Sequence, residues 1–327
     1  MNKPLIRFEH VWKTFGTKNS AVKDLCLDIY QGETLVILGT SGCGKTTTMK
    51  MVNRLIDPSK GRVYVDGLDI MKQDPIQLRR KIGYAIQHIG LFPHMTVEEN
   101  ISIVPKLLGW KKEKIAERVV FLLQLIGLDP GQFLHRYPVM LSGGQKQRIG
   151  VARALAADPP IVLMDEPFGA LDPITREQIQ KEFLRLESEI KKTVVFVTHD
   201  IFEAITLADR IALMNDGELV QLSTPKELVE NPANEFVDQF LGQHRFQLSL
   251  LTQSVANLIE KNESKANFDQ KNNLSPRDSF IDALDLFKQS KTSVLPVYLG
   301  KENYGVLKKG KLLDNIIAKL MEERGAE

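Results

Sequence analysis

The chain has 327 residues, 43% of them hydrophobic, and its 43 basic and 41 acidic side chains leave a formal net charge of +2. That length holds two domains with a substantial core, and so small a charge gives no bulk attraction to nucleic acid. Two cysteines, Cys26 and Cys43, exclude a disulfide framework and a cysteine zinc cluster. No apolar run reaches the ~18 residues of a membrane helix, and the first residues lack a signal-peptide stretch. A soluble, cytoplasmic protein is expected, one that serves a membrane process only by docking on another chain.

Residues 5–12 alternate and read as a strand, followed by Phe15 and Gly16. Residues 21–29 form a second strand, turned by Gln31-Gly32. Thr34-Leu35-Val36-Ile37-Leu38 is a short apolar run, the pattern of a buried strand. It leads into Gly39-Thr40-Ser41-Gly42-Cys43-Gly44-Lys45-Thr46, which fits G-x-x-x-x-G-K-[ST], and then into a helix from Thr47. Strand, glycine loop and helix is the context this phosphate-binding pattern requires. Glycines let successive N–H groups curl inward toward phosphate oxygens, and the helix adds its positive end. Lys45 brings a cation to the β- and γ-phosphates, and the Thr46 hydroxyl suits Mg²⁺. Cys43 is read as packing.

Further along, 62–67 reads as strand and turn, and 81–87 as a strand closing on Gln87. Residues 111–126 read as a helix with Ile115, Val119, Leu122, Leu123 and Ile126 on one face, ended by Gly127. Leu141-Ser142-Gly143-Gly144-Gln145 opens a helix running to about Ala157. Ile161 to Met164 is a fully apolar strand of the kind buried on both faces, ending at Asp165-Glu166. Asp172-Pro173 carries a helix N-cap and a proline at the first helical position. Residues 193–198 form another apolar strand ending at His199, and Asp200 and Glu203 have capping-box spacing. Residues 211–214 and 218–222 suggest a hairpin around Asn215-Asp216-Gly217.

Five features fall where one nucleotide site would use them. Asp165, at a strand end of an open α/β sheet, is an oxygen ligand for Mg²⁺; Glu166 beside it suits a general base. His199 suits a contact to a γ-phosphate, or an ordinary structural histidine. Gln87 ends its strand within reach of a metal or a water. Serine followed by two glycines at a helix start is an anion receptor. With one phosphate loop in the chain, that second receptor points to the nucleotide of another copy. Phe15 reads either as core or as a platform for adenine.

These residues resemble the ATP-binding subunits of ABC transporters. Leu141 to Gln145 matches that family's signature unchanged. Gly39 to Thr46, the strand Ile161 to Asp165, Glu166, Asp172, Gln87 and His199 match its other motifs in order, over about residues 5–240. The resemblance implies an α/β P-loop ATPase with a helical subdomain at about 90–157. It implies a head-to-tail homodimer holding two ATP with Mg²⁺. Phe15, Gly39 to Thr46, Thr47, Gln87, Asp165, Asp172 and Ser142, Gly143, Gly144 and Gln145 bind the nucleotide. Thr46, Gln87 and Asp165 hold the metal, Glu166 is the general base and His199 the γ-phosphate switch. Permease subunits and, indirectly, a substrate-binding protein are the implied partners, with no nucleic acid, and the chain sits on the cytoplasmic face of the membrane.

A finer likeness lies in 87–97, 104–110 and 164–176, which resemble importer ATPases for glycine betaine, choline and carnitine. The expected domains are 1–241 (ATPase), 242–275 (linker or degenerate segment) and 276–327 (a single half of a CBS-like module). In that half, Lys308 and Lys311 stand where nucleotide-binding CBS motifs often have Thr and Asp. Its apolar face is expected to pair with a partner's copy or with residues 244–260. The alternative function, a non-transport ABC-type ATPase on ribosomes or DNA, fits a chain with two cassettes or a long coiled coil between the phosphate loop and the signature. Residues 47–140 leave no room for one.

Overall fold

The computed structural model describes residues 3–16, 19–86, 90–169, 171–172, 175–177, 179–180, 183–184, 192–260, 273–299 and 302–325. They form two compact units, 1–222 and 223–327. The first is built on two sheets. Strands β1 (Ile6–Phe15), β2 (Asn19–Ile29), β4 (Lys60–Val65) and β5 (Leu68–Asp69) make an antiparallel sheet in the order β2-β1-β4-β5. The second sheet holds β3 (Thr34–Gly39), β6 (Ile82–Ala85), β7 (Ile161–Asp165), β8 (Thr193–Val197), β9 (Arg210–Asn215) and β10 (Glu218–Ser223), in the order β10-β9-β3-β8-β7-β6. Its β9, β3, β8, β7 and β6 run parallel. The apolar runs of β3 and β8 are buried along their whole length, as is β7 including its terminal Asp165; a parallel sheet covered on both faces needs such strands.

One core joins the two sheets: Ile6, Phe8, Val22 and Leu25 meet Leu35, Ile37, Leu163 and Val195, with Met49 of α1 (Lys45–Val52) among them. Helix α2 (Pro75–Arg80) leads into β6. Helices α3 (Val97–Leu107), α4 (Lys112–Leu125), α5 (Pro130–Phe133) and α6 (Gly143–Leu155) form the helical part, with α6 packed on β6 and on α3. Helix α7 (Ile201–Leu207) follows β8. The β9–β10 hairpin turns through Asp216 and Gly217, both with positive φ (45° and 83°), as a type I′ turn demands.

The second unit departs from the expected layout. It begins with α8 (Pro225–Glu230), α9 (Glu235–Leu241) and α10 (Arg245–Thr252), so the break falls nearly twenty residues before the expected 241/242 boundary. Helix α10 packs on α8, and the Arg245 guanidinium donates to the Val229 carbonyl at 3.1 Å and pairs with Asp238 at 2.7 Å. These partners lie 16 and 7 residues away in sequence, which is why the texture change at 242 misplaces the boundary. The stretch read as linker is structured through Glu260; residues 261–272 lie outside the described residues. Then come α11 (Phe280–Ser290), β11 (Val294–Leu299), β12 (Glu302–Lys308) and α12 (Lys309–Gly325), the expected helix–strand–turn–strand–helix. Leu250, Val255, Leu258 and Leu274 cover the apolar face made by Phe280, Phe287, Leu295, Val297 and Leu307. Of the two expected covers for that face, residues 244–260 of the same chain supply one. Lys308 and Lys311 both reach Glu260, at 2.7 and 3.8 Å. That ion pairing gives them a structural role.

Candidate functional site

The phosphate loop closes where β3 meets α1. Gly44 occupies the helix N-cap with φ +103°, and a Cβ there would collide with the Ala21 carbonyl of β2; only glycine fits. Thr40, Ser41 and Gly42 are exposed at the rim, while Gly39, Cys43, Gly44 and Lys45 are buried. The Lys45 ammonium donates to the carbonyls of Gly39 and Thr40 at 2.9 and 2.8 Å, so its charge lies across the loop mouth. Burial pushes the Cys43 thiol up, which keeps it protonated and supports its reading as packing.

At the end of β7, Asp165 is 2% exposed and accepts a hydrogen bond from the Thr46 hydroxyl at 2.8 Å. Tyr84 of β6 lies beside the same carboxylate. Burial raises the Asp165 carboxyl above its ordinary value, opposed by the Thr46 bond and by Lys50. Burial beside that carboxylate also raises the Tyr84 phenol. Sequence reading missed Tyr84; its signal is its place on the strand paired with β7, one residue short of that strand's end. The donor set fits Mg²⁺: one carboxylate and one hydroxyl side by side, leaving the remaining positions to water and phosphate oxygens. Among the described residues no cluster of three or more His, Cys, Asp or Glu side chains offers an all-protein metal cage.

Glu166 leaves β7 in the left-handed region, φ +45°, a conformation costly to a non-glycine residue and frequent at functional sites. Among the described residues, three hydrogen bonds at its backbone help to hold it there. Its N–H donates to the Val197 carbonyl of β8 at 3.0 Å, and its own carbonyl accepts from Gly169 N–H at 3.2 Å and from the Gln147 amide at 3.3 Å. Its carboxylate lies 3.4 Å from His199 Nδ1. The loop bearing His199 is pinned on both sides, since the Thr198 hydroxyl donates to Glu203 at 2.7 Å and accepts from Asp200 N–H at 3.0 Å. Half of the expected capping box is therefore absent. Asp200 does cap α7, accepting from Phe202 and Glu203 N–H, but the buried Glu203 turns to Thr198, where burial raises its carboxyl.

Ser142 and Gln145 form the reciprocal capping box of α6, at 3.3 and 3.0 Å, and Ser142 and Gly143 are exposed at the helix start. Asp172 caps as expected, accepting from Thr175 N–H at 3.0 Å. Phe15 is 50% exposed at the end of β1, with the Lys13 ammonium 5.0 Å over its ring, so it is surface and not core. Gln87 lies outside the described residues. The fold thus brings Lys45, Thr46, Asp165, Glu166 and His199 together at the carboxyl ends of three adjacent strands, β3, β8 and β7, where open α/β sheets place their ligands.

A family model described as "ABC transporter" matches residues 22–169. The glycine betaine/carnitine/choline transport ATP-binding protein OpuCA of Bacillus subtilis is 59% identical over 74% of this chain. This chain spans 63% of that relative's length. The choline transport ATP-binding protein OpuBA of the same organism is 50% identical, over 90% of this chain and 75% of its own length. Among solved structures, the dimeric post-hydrolysis state of the ATP-binding cassette MJ0796 bound to ADP and Pi superposes with a TM-score of 0.62 at 35% identity, over 67% of this chain and 98% of that one. With these identities spread over most of the relatives' length, and the loop and strand-end carboxylates in the same unit, the chain belongs to the ABC transporter family of ATP-binding proteins.

Proposed function

We propose that the chain hydrolyses ATP as the motor subunit of an importer for a quaternary-amine osmoprotectant of the glycine betaine, choline and carnitine class. The observation that carries this reading is the meeting of the Lys45 loop with Thr46–Asp165 and Glu166–His199 at one sheet edge. Loop residues 39–46 and Thr47 hold the phosphates, and the exposed ring of Phe15 stacks on adenine. Thr46, Asp165 and Gln87 hold Mg²⁺, which when bound neutralises phosphate charge. Glu166 accepts the proton of the water that attacks the γ-phosphorus; the bond to the bridging oxygen breaks, releasing ADP and phosphate. His199 orients the γ-phosphate beside Glu166.

Two copies assemble head to tail in this reading. The exposed helix start at Ser142, Gly143, Gly144 and Gln145 meets the partner's nucleotide, and Asp172 crosses between subunits. The dimeric state of the solved neighbour supports that arrangement. No described helix is long and apolar enough to cross a membrane, so contact with a permease is peripheral. A cleft between β6 and the helical part, lined by Arg80, Tyr84, Phe92, Ile103, Val104 and Arg153, suits that contact. The transport names of the relatives support the solute class; a substrate-binding protein completes the system.

The test is Glu166→Gln. Loss of a general base lowers kcat by about 10²–10⁴-fold, ATP affinity stays, and the variant elutes as a dimer in ATP and Mg²⁺. Monomeric elution under those conditions overturns the sandwich. Lys45→Ala removes a charge-assisted contact worth about 1.5–3 kcal/mol, so ATP binding weakens about 10- to 100-fold.

A further inference from the structure

Helix α6 does more than present Ser142 at its exposed start. Five residues on, Gln147 is 6% exposed, and its amide donates to the main-chain carbonyl of Glu166 at 3.3 Å. A carbonyl accepts only, so the amide nitrogen must face it, and the orientation of the side chain is fixed by chemistry. Its other end, Oε1, is buried without a hydrogen-bond partner among the described residues. An unsatisfied buried acceptor costs free energy, and a core glutamine kept at that cost calls for a role beyond filling space. One turn earlier, a Cβ on Gly144 would sit 3.0 Å from Leu171 Cδ2, so the helix start rests directly on the loop that follows Glu166. Val151, Pro167, Phe168 and Leu171 line the small apolar gap around Gln147. Glu166 itself needs this support, because its left-handed φ of 45° is unfavourable and its side chain must stay 3.4 Å from His199.

We propose that Gln147 is a positioning residue for Glu166, by which α6 sets the catalytic geometry of its own subunit according to what its exposed start has engaged. The helix is a rigid rod of 13 residues, so a small displacement at Ser142 moves Gln147 with it. Displacement of the amide removes the hydrogen bond that Gln147 gives the Glu166 carbonyl. Given the sandwich proposed above, on which this inference rests, nucleotide held by the partner's loop presses on Ser142. Each subunit's hydrolytic glutamate thereby responds to occupancy of the other subunit's loop.

The experiment uses the full chain carrying Gln147→Met, which keeps the volume and removes the N–H, and Gln147→Met with Glu166→Gln. Steady-state ATPase, ATP binding, sizing in ATP and Mg²⁺, and thermal melting are measured. The expected result is a kcat about tenfold lower with KM for ATP within twofold, a Hill coefficient for ATP closer to 1, and unchanged dimer trapping in the double variant. A kcat within twofold of the parent overturns the proposal. So does a melting temperature lowered by more than about 10 °C with loss of ATP binding, which would make Gln147 a packing residue. If Glu166→Gln alone fails to trap a dimer, the sandwich fails instead. A tenfold kcat loss in Gln147→Met then still upholds the positioning role within one subunit, and no loss refutes it.

Discussion

Residues 6–222 build two sheets with helices and residues 223–325 build one, yet the larger difference lies in the groups they bury. In the first unit Lys45, Gln147, Asp165, Thr198 and Glu203 are all at least nine-tenths buried. Two are held across the chain, Asp165 by Thr46 over 119 residues and Gln147 on Glu166 over 19, while Lys45 and the Thr198–Glu203 pair bond within six residues. In the second the buried polar side chains are Ser249 and Ser279, among the described residues. Ser249 donates to the Phe246 carbonyl of its own helix and Ser279 caps its own helix. Burying charge is costly and is sustained where something other than folding requires it. Buried charged groups gathered at strand ends therefore mark the first unit, whereas the second buries only uncharged serines among the described residues.

Asp165→Asn should show that contrast most strongly. On the proposed function, loss of the carboxylate that would hold Mg²⁺ removes several kcal/mol of charge stabilisation, so ATPase activity falls by about 10³-fold. Stability moves the other way. Burial raises the Asp165 carboxyl above its ordinary value, so the folded state holds that proton more tightly than the unfolded one. Stability is then lost as pH rises from the unfolded pKa through the raised folded one. Asparagine lacks the titration and still accepts from Thr46. Melting curves at several pH values, without nucleotide, should show the variant above the parent at neutral pH and the gap closing toward acid. A variant that melts lower at neutral pH would mean that Asp165 stabilises the fold.

Gly305→Ala probes the other unit. Gly305 has φ +148°, and a Cβ there would lie 2.5 Å from the carbonyl of Glu260, which forms an isolated bridge to Val306. Strain of this kind costs about 1–3 kcal/mol. Calorimetry of the full chain should show an earlier transition for the C-terminal unit, with ATPase activity within twofold of the parent. Loss of both would show that the two units do not divide labour as their interiors suggest.

The same difference decides what could be read from the residues alone. Gly39 to Thr46, Asp165-Glu166 and Ser142-Gly143-Gly144 are legible because each carries its chemistry within a few neighbours. Strands β3, β7 and β8 are legible because burial on both faces leaves an uninterrupted apolar run. Gln147 and Tyr84 are not, since each is defined by a partner on another element. Glu203 has the spacing of a capping-box partner to Asp200, but its carboxylate accepts from Thr198, on the other side of the cap. Helix α3, with Pro105 inside it, escaped notice although Thr96 and Glu99 form a full capping box at its start. Helices α8 and α9 fall in the second unit, not in the expected 1–241 domain, and α10 lies in the stretch read as linker, because packing and not composition assigns them.

Two serine capping boxes, one closed by Gln145 and the other by Asp282, differ in what surrounds them. Ser142 accepts from Gln145 N–H at 3.3 Å, and Ser279 accepts from Asp282 N–H at 3.1 Å. Each N3 side chain, in turn, accepts from its serine's N–H. Serine-to-alanine at either cap costs about 1 kcal/mol of helix stability. Ser279 is buried within its unit, so Ser279→Ala should lower the melting of that unit and leave ATPase kinetics alone. Ser142 stands exposed at a positive helix end, so Ser142→Ala should lower melting by a similar amount and also weaken ATP-driven dimerisation about fivefold, the loss of one hydrogen bond of about 1 kcal/mol. Equal effects of the two substitutions on dimerisation would make the Ser142 cap as local as its counterpart. A dimerisation defect confined to Ser142→Ala would separate a cap that faces a ligand from one that only ends a helix.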